Sequence, residues 1–103
     1  MRELKDIIKE SIQSINQTTE LFYQQKTKEG YEQLENTLIL LSNTMNSVFL
    51  YIKEGNEIGI NENELVQLLS DAMKAMEKKD IILLSDILQY ELKELFENIL
   101  EGI

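Results

Sequence analysis

The feature that most constrains the fold is a run of apolar residues whose spacing alternates between three and four positions. It continues without a miss through Tyr31, Leu34, Leu38, Leu41, Met45, Val48 and Ile52. This spacing places the side chains in one stripe along an α-helix and has the heptad character of a helix–helix seam. Ile39 and Leu50 fall on the opposite face. We therefore expect this helix to need cover on more than one side.

Similar patterns predict three further helices. Their apolar stripes are Leu4, Ile8, Ile12, Ile15 and Phe22; then Leu65, Leu69, Ala72 and Met76; then Ile81, Leu84, Leu88, Leu92, Leu95 and Ile99. The chain contains no proline and four glycines, so few helix breakers interrupt these segments. We predict helices over about residues 2–25, 28–54, 62–78 and 80–101.

Residues typical of helix ends separate the predicted helices. Thr27 is predicted to be the N-cap of the second helix, because its hydroxyl can accept a bond from a free backbone N–H. A tight turn is expected there. One continuous helix is the alternative, since neither glycine nor proline enforces a break before Gly30. The longest loop is expected over about residues 54–61, and Asn61 and Asp80 are predicted to cap the third and fourth helices.

Four amphipathic helices with short connections predict an all-α fold. Each apolar stripe must be buried against another, which gives an antiparallel four-helix bundle or two packed helical hairpins. A chain of 103 residues has the size of a single domain, and no internal repeat or low-complexity linker divides it. We therefore expect one helical domain over residues 1–103.

The charge of the chain argues against several classes of partner. It has 10 basic and 19 acidic residues, for a net charge of −9. Binding to nucleic acid or to an anionic membrane surface needs clustered lysine and arginine, so neither is expected. No apolar run approaches the roughly 20 residues of a membrane-spanning helix, and the N-terminus does not resemble a secretory signal. We expect a cytoplasmic protein.

The residue types needed for common catalytic centres are missing. Without histidine and cysteine, the usual general base, thiol nucleophile and transition-metal ligands are unavailable. No glycine-rich phosphate loop is present, and residues 56–64 lack the residue order of a calcium loop. Glu91 lies beside the stripe of the fourth helix, either partly buried and suited to acid–base chemistry or, as we prefer, in contact with water or a lysine. We predict no catalytic residue, cofactor, metal or small-molecule substrate.

The fourth helix has a second apolar face. Leu83, Ile87 and Tyr90 are spaced by four and three, away from the inward stripe. A helix that is apolar almost all round is either central or covered by another chain. With Ile39 and Leu50, these residues are predicted to bind a partner. The predicted function is a non-catalytic protein–protein interaction module, such as a small adaptor or chaperone that binds a partner helix; the alternative is a homodimeric structural or regulatory domain without a separate client.

Residues 75–92 resemble a small, uncharacterised bacterial all-helical family associated with flagellar and motility gene regions. The resemblance rests on a Lys-Lys-Asp turn at residues 78–80, followed by the pattern Leu-x-Asp-x-Leu-x-Tyr-Glu-Leu at residues 84–92. Asp86, Tyr90 and Glu91 are the matching polar positions. The resemblance assigns no catalytic residue. Size, acidity and the apolar helix are also similar to those of the helical export chaperones of flagellar subunits.

Overall fold

A computed structural model of the chain describes residues 3–59 and 61–103. Within them the fold is an all-α helical bundle without strands, as predicted. The fourth helix is continuous but has a π-helical segment in its middle, and we call its three parts together the C-terminal rod. The elements are α1 (Leu4–Tyr23), α2 (Thr27–Lys53), α3 (Glu62–Glu77), α4 (Ile81–Asp86), the π segment (Ile87–Leu92) and α5 (Lys93–Gly102).

α1 and the C-terminal rod form the centre of the bundle, and α2 and α3 flank them. α1 packs against α2 on one side and against all three parts of the C-terminal rod on the other, while α3 packs on α4 and the π segment. The hydrogen-bonded pairs Ser11–Thr44 and Thr18–Thr37 run in opposite directions along α1 and α2. The pairs Thr19–Gln89 and Tyr23–Asp86 do the same for α1 and the rod. α1 is therefore antiparallel to both α2 and the C-terminal rod.

The core lies where the four predicted stripes meet. Each stripe contributes fully buried side chains, and each such aliphatic or aromatic group stabilises the fold by about 1.5–3 kcal/mol. Other residues of the stripes are only partly buried, namely Leu4, Ile12, Tyr31, Leu38, Ile52, Leu69, Met76 and Ile81. The large apolar side chains with the least exposure are Ile8, Ile15, Val48, Leu65, Leu84, Leu88, Leu92, Phe96 and Ile99.

The turn between α1 and α2 is present, but its chemistry differs from the prediction. Gln25 has a positive φ of 62°, and the N–H of Lys26 donates to the carbonyl of Leu21 over 2.9 Å, as in a Schellman motif. The chain therefore enters α2 one residue early, with Lys26 at the N-cap and its carbonyl bonded to the N–H of Gly30. The prediction that Thr27 caps α2 was wrong: Thr27 is the first helical residue.

The other two predicted caps are confirmed. The side-chain oxygen of Asn61 accepts from the N–H of Asn63 over 2.8 Å, and a carboxylate oxygen of Asp80 accepts from the N–H of Leu83 over 3.1 Å. The predicted loop follows α2, and its described residues are 54–59 and 61. Ile58 is buried and fastens this loop to the bundle. The predicted start of the first helix at residue 2 lies outside the described residues.

Small hydroxyl side chains line the contact between α1 and α2. We call this set the hydroxyl seam: Ser11, Ser14, Thr18, Thr37 and Thr44, all of them buried. Thr37 Oγ1 lies 2.6 Å from Ser14 Oγ and 2.7 Å from Thr18 Oγ1, and Ser11 Oγ lies 2.5 Å from Thr44 Oγ1. Buried hydroxyl groups are tolerated here because they pair with each other. The short side chains also bring the two helices close together.

Candidate functional site

An open apolar groove runs between α2 and α3. The two helices flank the central pair on the same side and leave a gap of about 480 Å³ between them. Leu84 and Leu88 of the C-terminal rod form its floor and are almost fully buried. Because its walls and floor come from three different helices, the groove exists only in the folded bundle.

The walls of the groove are apolar and rich in methionine. The α2 wall includes Leu38, Met45 and Phe49, and the α3 wall includes Val66, Leu69, Met73 and Met76. Val66 and Met73 remain 51% and 60% exposed although they face a groove. Methionine side chains adapt to the shape of what they contact. Such a wall is therefore suited to an apolar occupant whose shape is not fixed in advance.

The groove changes character along its length. In its middle the apolar walls carry neutral polar groups from Ser42, Asn46 and Ser70. At one end it continues into a cleft of about 350 Å³, lined by Leu38, Met76 and two glutamates, Glu32 and Glu35. One turn of α2 beyond Phe49, at the other end, a cleft of about 510 Å³ is lined by residues of the 54–61 loop and the start of α3. The groove is apolar in the middle and acidic at its ends.

Two of the predicted partner-binding residues lie beside this groove. Ile39 and Leu50 are 62% and 54% exposed on α2. At about 100° per residue they are displaced from the groove-lining Asn46 by less than 45° around the helix axis. They therefore extend the apolar surface of α2 past the lip of the groove. No lining residue of the groove itself was among the predicted partner-binding residues.

The other three predicted residues lie on the C-terminal rod, away from the groove. Leu83 faces a cleft between α3 and the rod, and Tyr90 faces a cleft between α1 and the rod. They are 46% and 64% exposed. The prediction that Ile87 lies on an exposed face was wrong, since it is 4% exposed. α3 covers this side of the rod, where the small side chain of Ala75 permits close packing.

Polar contacts cluster where α1 meets the end of α4 and the π segment. The hydroxyl of Tyr23 donates to a carboxylate oxygen of Asp86 over 3.0 Å, and the hydroxyl of Thr19 donates to Oε1 of Gln89 over 2.9 Å. Partial burial raises the pKa of Tyr23 to about 12, and the hydrogen bond to Asp86 and its negative charge act in the same direction. The cluster therefore keeps the Tyr23 phenol protonated and fixes the rod against α1.

Glu91 is the carboxylate that the sequence offered for acid–base chemistry. Glu91 is exposed at the edge of the cleft between α3 and the rod, which agrees with the preferred interpretation of this residue. Residues 3–59 and 61–103 contain no cluster of three carboxylates that could hold a metal ion. In the same part of the chain, no helix combines the length and apolar character needed to cross a membrane.

Comparison with known proteins places the chain in a family. The family model described as "Domain of unknown function (DUF8042)" matches residues 1–102. The chain belongs to the DUF8042 family. No curated protein and no solved structure matches it. Membership in DUF8042 is consistent with the expectation of an uncharacterised family, and the match covers nearly the whole chain.

Sequence reasoning missed the α3 wall of the groove for an identifiable reason. Met73 lies beside the predicted stripe of α3, and Val66 precedes it by seven positions on the same side of the helix. The apolar surface of α3 is therefore wider than a single stripe. The width of this apolar surface could have indicated an additional contact of α3, but not which side of the helix would stay uncovered in the bundle. In this DUF8042 chain, the uncovered side faces α2.

Proposed function

We propose that this protein is a non-catalytic interaction module that binds one amphipathic helix of a partner protein in the groove between α2 and α3. The observation that carries this proposal is the open, methionine-rich groove with a buried leucine floor. Grooves of this kind, with apolar walls and polar lips, are a recurrent way of binding a helix. Exposed Val66 and Met73 are the side chains that binding would cover.

The arrangement of the walls favours a helix over an extended segment. Leu38 and Met45 on α2 are seven positions apart, and so are Val66 and Met73 on α3. A helix seated between them presents anchors at the same interval of two turns. From Leu38 to Phe49 the apolar section spans roughly 16 Å, or about three turns of a bound helix. Ile39 and Leu50 contact the flank of that helix in this proposal.

We also propose a role for this protein in the cell. In this proposal the protein covers the apolar face of another protein's helix and so acts as a small adaptor or chaperone in the cytoplasm. The resemblance over residues 75–92 supports a client from the motility apparatus. Similarity in size and acidity to export chaperones of flagellar subunits supports the chaperone role, as a likeness at the level of the fold.

A matched pair of variants tests the groove. Met73→Glu places a charge on the α3 wall, whereas Ile82→Glu makes the same kind of change at a side chain that is 74% exposed and does not line the groove. The probe is a synthetic helical peptide of about 16 residues with leucines on one face and neutral polar residues elsewhere. We expect amide shifts of the protein to change around the groove, and Met73→Glu to weaken binding at least about tenfold while Ile82→Glu does not. Equal effects of the two variants would contradict the proposal.

A homodimer is the second candidate function, and a different surface favours it. Leu83 and Tyr90 are exposed on the C-terminal rod, apart from the groove. Closed two-fold dimers are the commonest assembly of soluble proteins, and this surface would be buried in one. Light scattering over a dilution series tests it: a dimer that Leu83→Glu or Tyr90→Glu converts to a monomer supports this function. A monomer at all concentrations rejects it.

A further inference from the structure

We infer that the helix bound in the groove carries positive charge at both of its ends. This inference rests on the proposed function and adds the chemical class of the partner. It follows from the charges at the ends of the groove, which are independent of its apolar walls. The charge of the partner helix and its binding in the groove can therefore be tested separately.

The first end of the groove has a net negative charge, carried mainly by its α2 wall. Glu32 and Glu35 of α2 line the cleft into which the groove continues beside Met76. On α3, Glu77 follows Met73 by four positions and so lies on the same side of that helix. All three glutamates are exposed. Two lysines lie at this end as well, Lys28 four positions before Glu32 and Lys79 three positions after Met76. Three carboxylates and two lysines leave a net negative charge, which favours a cation at this end of a bound helix.

The second end is also acidic. Glu57 and Glu62 line the cleft next to Ile52, and Glu62 precedes the groove-lining Val66 by four positions on α3. One cation, Lys53, follows Phe49 by four positions on the α2 side of this end. Two carboxylates and one lysine leave a net negative charge here.

The middle of the groove has no charge to bind. Its polar lining consists of Ser42, Asn46 and Ser70. A complementary helix is therefore apolar or neutral over about three turns and basic beyond them on either side. The charges at the ends also favour one position of the helix along the groove, since displacement would place its cations over apolar walls.

The same charges argue against a second copy of this chain as the occupant. The protein has a net charge of −9. Its exposed apolar surface on the rod, around Leu83 and Tyr90, is accompanied by Asp86, Glu91 and Glu94. Docking that surface into the groove would bring carboxylates against carboxylates, which disfavours the complex. A basic helix from another protein meets the opposite sign at both ends.

Four synthetic peptides separate the contributions. They share a length of about 16–18 residues and the same leucine face, with lysines at both ends, glutamates at both ends, or neutral ends; the fourth is the lysine-ended composition in scrambled order. Binding to the full-length chain is measured by fluorescence anisotropy at about 0.05 M and about 0.5 M salt. The double variant Glu32→Gln/Glu35→Gln removes two charges from the groove end, and Glu91→Gln/Glu94→Gln removes the same number from the rod.

The expected result is a preference for lysine ends over glutamate ends of at least about tenfold at low salt, which shrinks at high salt. Glu32→Gln/Glu35→Gln should reduce that preference severalfold, without changing the affinity for the neutral peptide, and Glu91→Gln/Glu94→Gln should leave it intact. Equal binding of the three ordered peptides overturns the charge inference and leaves the groove proposal standing. Equal binding of the scrambled peptide, or no binding of any peptide, overturns both. A dimer that Met73→Glu dissociates assigns the groove to a second copy and also overturns the inference.

Discussion

The ring of Phe22 fills the space in which a side chain at position 30 would lie. A Cβ atom built on Gly30 would be 2.5 Å from the Cδ1 and Cε1 atoms of that ring. The ring also meets Tyr31 edge to face, with centroids 5.3 Å apart and planes at 76°. The aromatic group at the end of α1 is thereby held against the first turn of α2, and glycine is the residue that leaves room for it.

Gly30→Ala should therefore destabilise the protein. Overpacking of this kind costs about 1–3 kcal/mol, which exceeds the roughly 0.5–1 kcal/mol that alanine gains over glycine inside a helix. Urea denaturation measures the difference as a lower midpoint with an unchanged slope. Gly102→Ala is the matched control, because the added Cβ would be 3.6 Å from the carbonyl oxygen of Ile58, an ordinary contact. A Gly30→Ala protein as stable as the natural one would contradict this account.

Thr37→Val should lower stability through the hydroxyl seam. Valine has nearly the same shape but cannot pair with the hydroxyls of Ser14 and Thr18, which lie 2.6 and 2.7 Å from Thr37 Oγ1. Thr18 then loses its partner, while Ser14 still accepts from the amide of Gln33 over 3.3 Å. Leaving a buried hydroxyl unpaired costs about 1–3 kcal/mol. Replacing the partners as well, by Ser14→Ala and Thr18→Val, should recover much of the loss in the same urea measurement. If the triple variant is less stable than Thr37→Val alone, the seam is not a matter of hydrogen-bond pairing.

Ser85→Ala, in contrast, should raise the stability of the protein. The Oγ atom of Ser85 is buried and has no hydrogen-bond partner among the described residues. Removing an unpaired buried hydroxyl takes away a desolvation penalty and leaves only a small change in volume, so we expect stability to rise by up to about 1 kcal/mol. Thermal unfolding of Ser85→Ala beside Ser14→Ala checks this, since Ser14 is paired and its loss should be destabilising. A fall in stability on Ser85→Ala would indicate a partner for that hydroxyl.

Tyr23 should contribute to stability in a pH-dependent way. Its folded pKa of about 12 lies above the ordinary value of 10.0, so the unfolded chain loses this proton first as pH rises. The contribution is therefore fully present below pH 10 and is lost as pH rises through about 12. Tyrosinate absorbance of the natural protein should contain a component near this pKa that Tyr23→Phe removes. Asp86→Asn should lower the pKa of Tyr23, and an unchanged titration in that variant would exclude the carboxylate as a cause.

The sequence predicted the helices well because their signals are local. The alternation of threes and fours from Tyr31 to Ile52 depends only on the period of a helix, and α2 covers all of it. Asn61 and Asp80 act through atoms two or three residues away, so their capping roles are confirmed. The predicted cap at Thr27 was wrong because Gln25 adopts a positive φ, a conformation that favours glycine. A glutamine at that position gives no sign of it in the sequence.

The features that depend on packing were harder to predict. Ile87 resembles Leu83 in spacing and character, yet α3 covers one and leaves the other exposed. Apolar spacing does not predict the hydroxyl seam, since serine and threonine are classed as polar whether they are buried or exposed. The groove was missed because it is defined by a gap between α2 and α3, whereas a pattern within one helix records only its own faces. The π segment likewise is not marked by the apolar spacing of the fourth helix, which continues through it.

The spacing of the hydroxyl seam has a consequence for how α1 and α2 find their alignment. Thr37 and Thr44 are one heptad apart, and so are Ser11 and Thr18. If α2 slid by one heptad so that Thr44 stood opposite Thr18, hydroxyl would again meet hydroxyl at that position, and the pairing alone would scarcely distinguish the two alignments. The same slide would put Thr37 where Gly30 now accommodates the ring of Phe22. Gly30 therefore distinguishes the observed alignment of α1 and α2 from the shifted one, which the repeated hydroxyl pairs alone would not do.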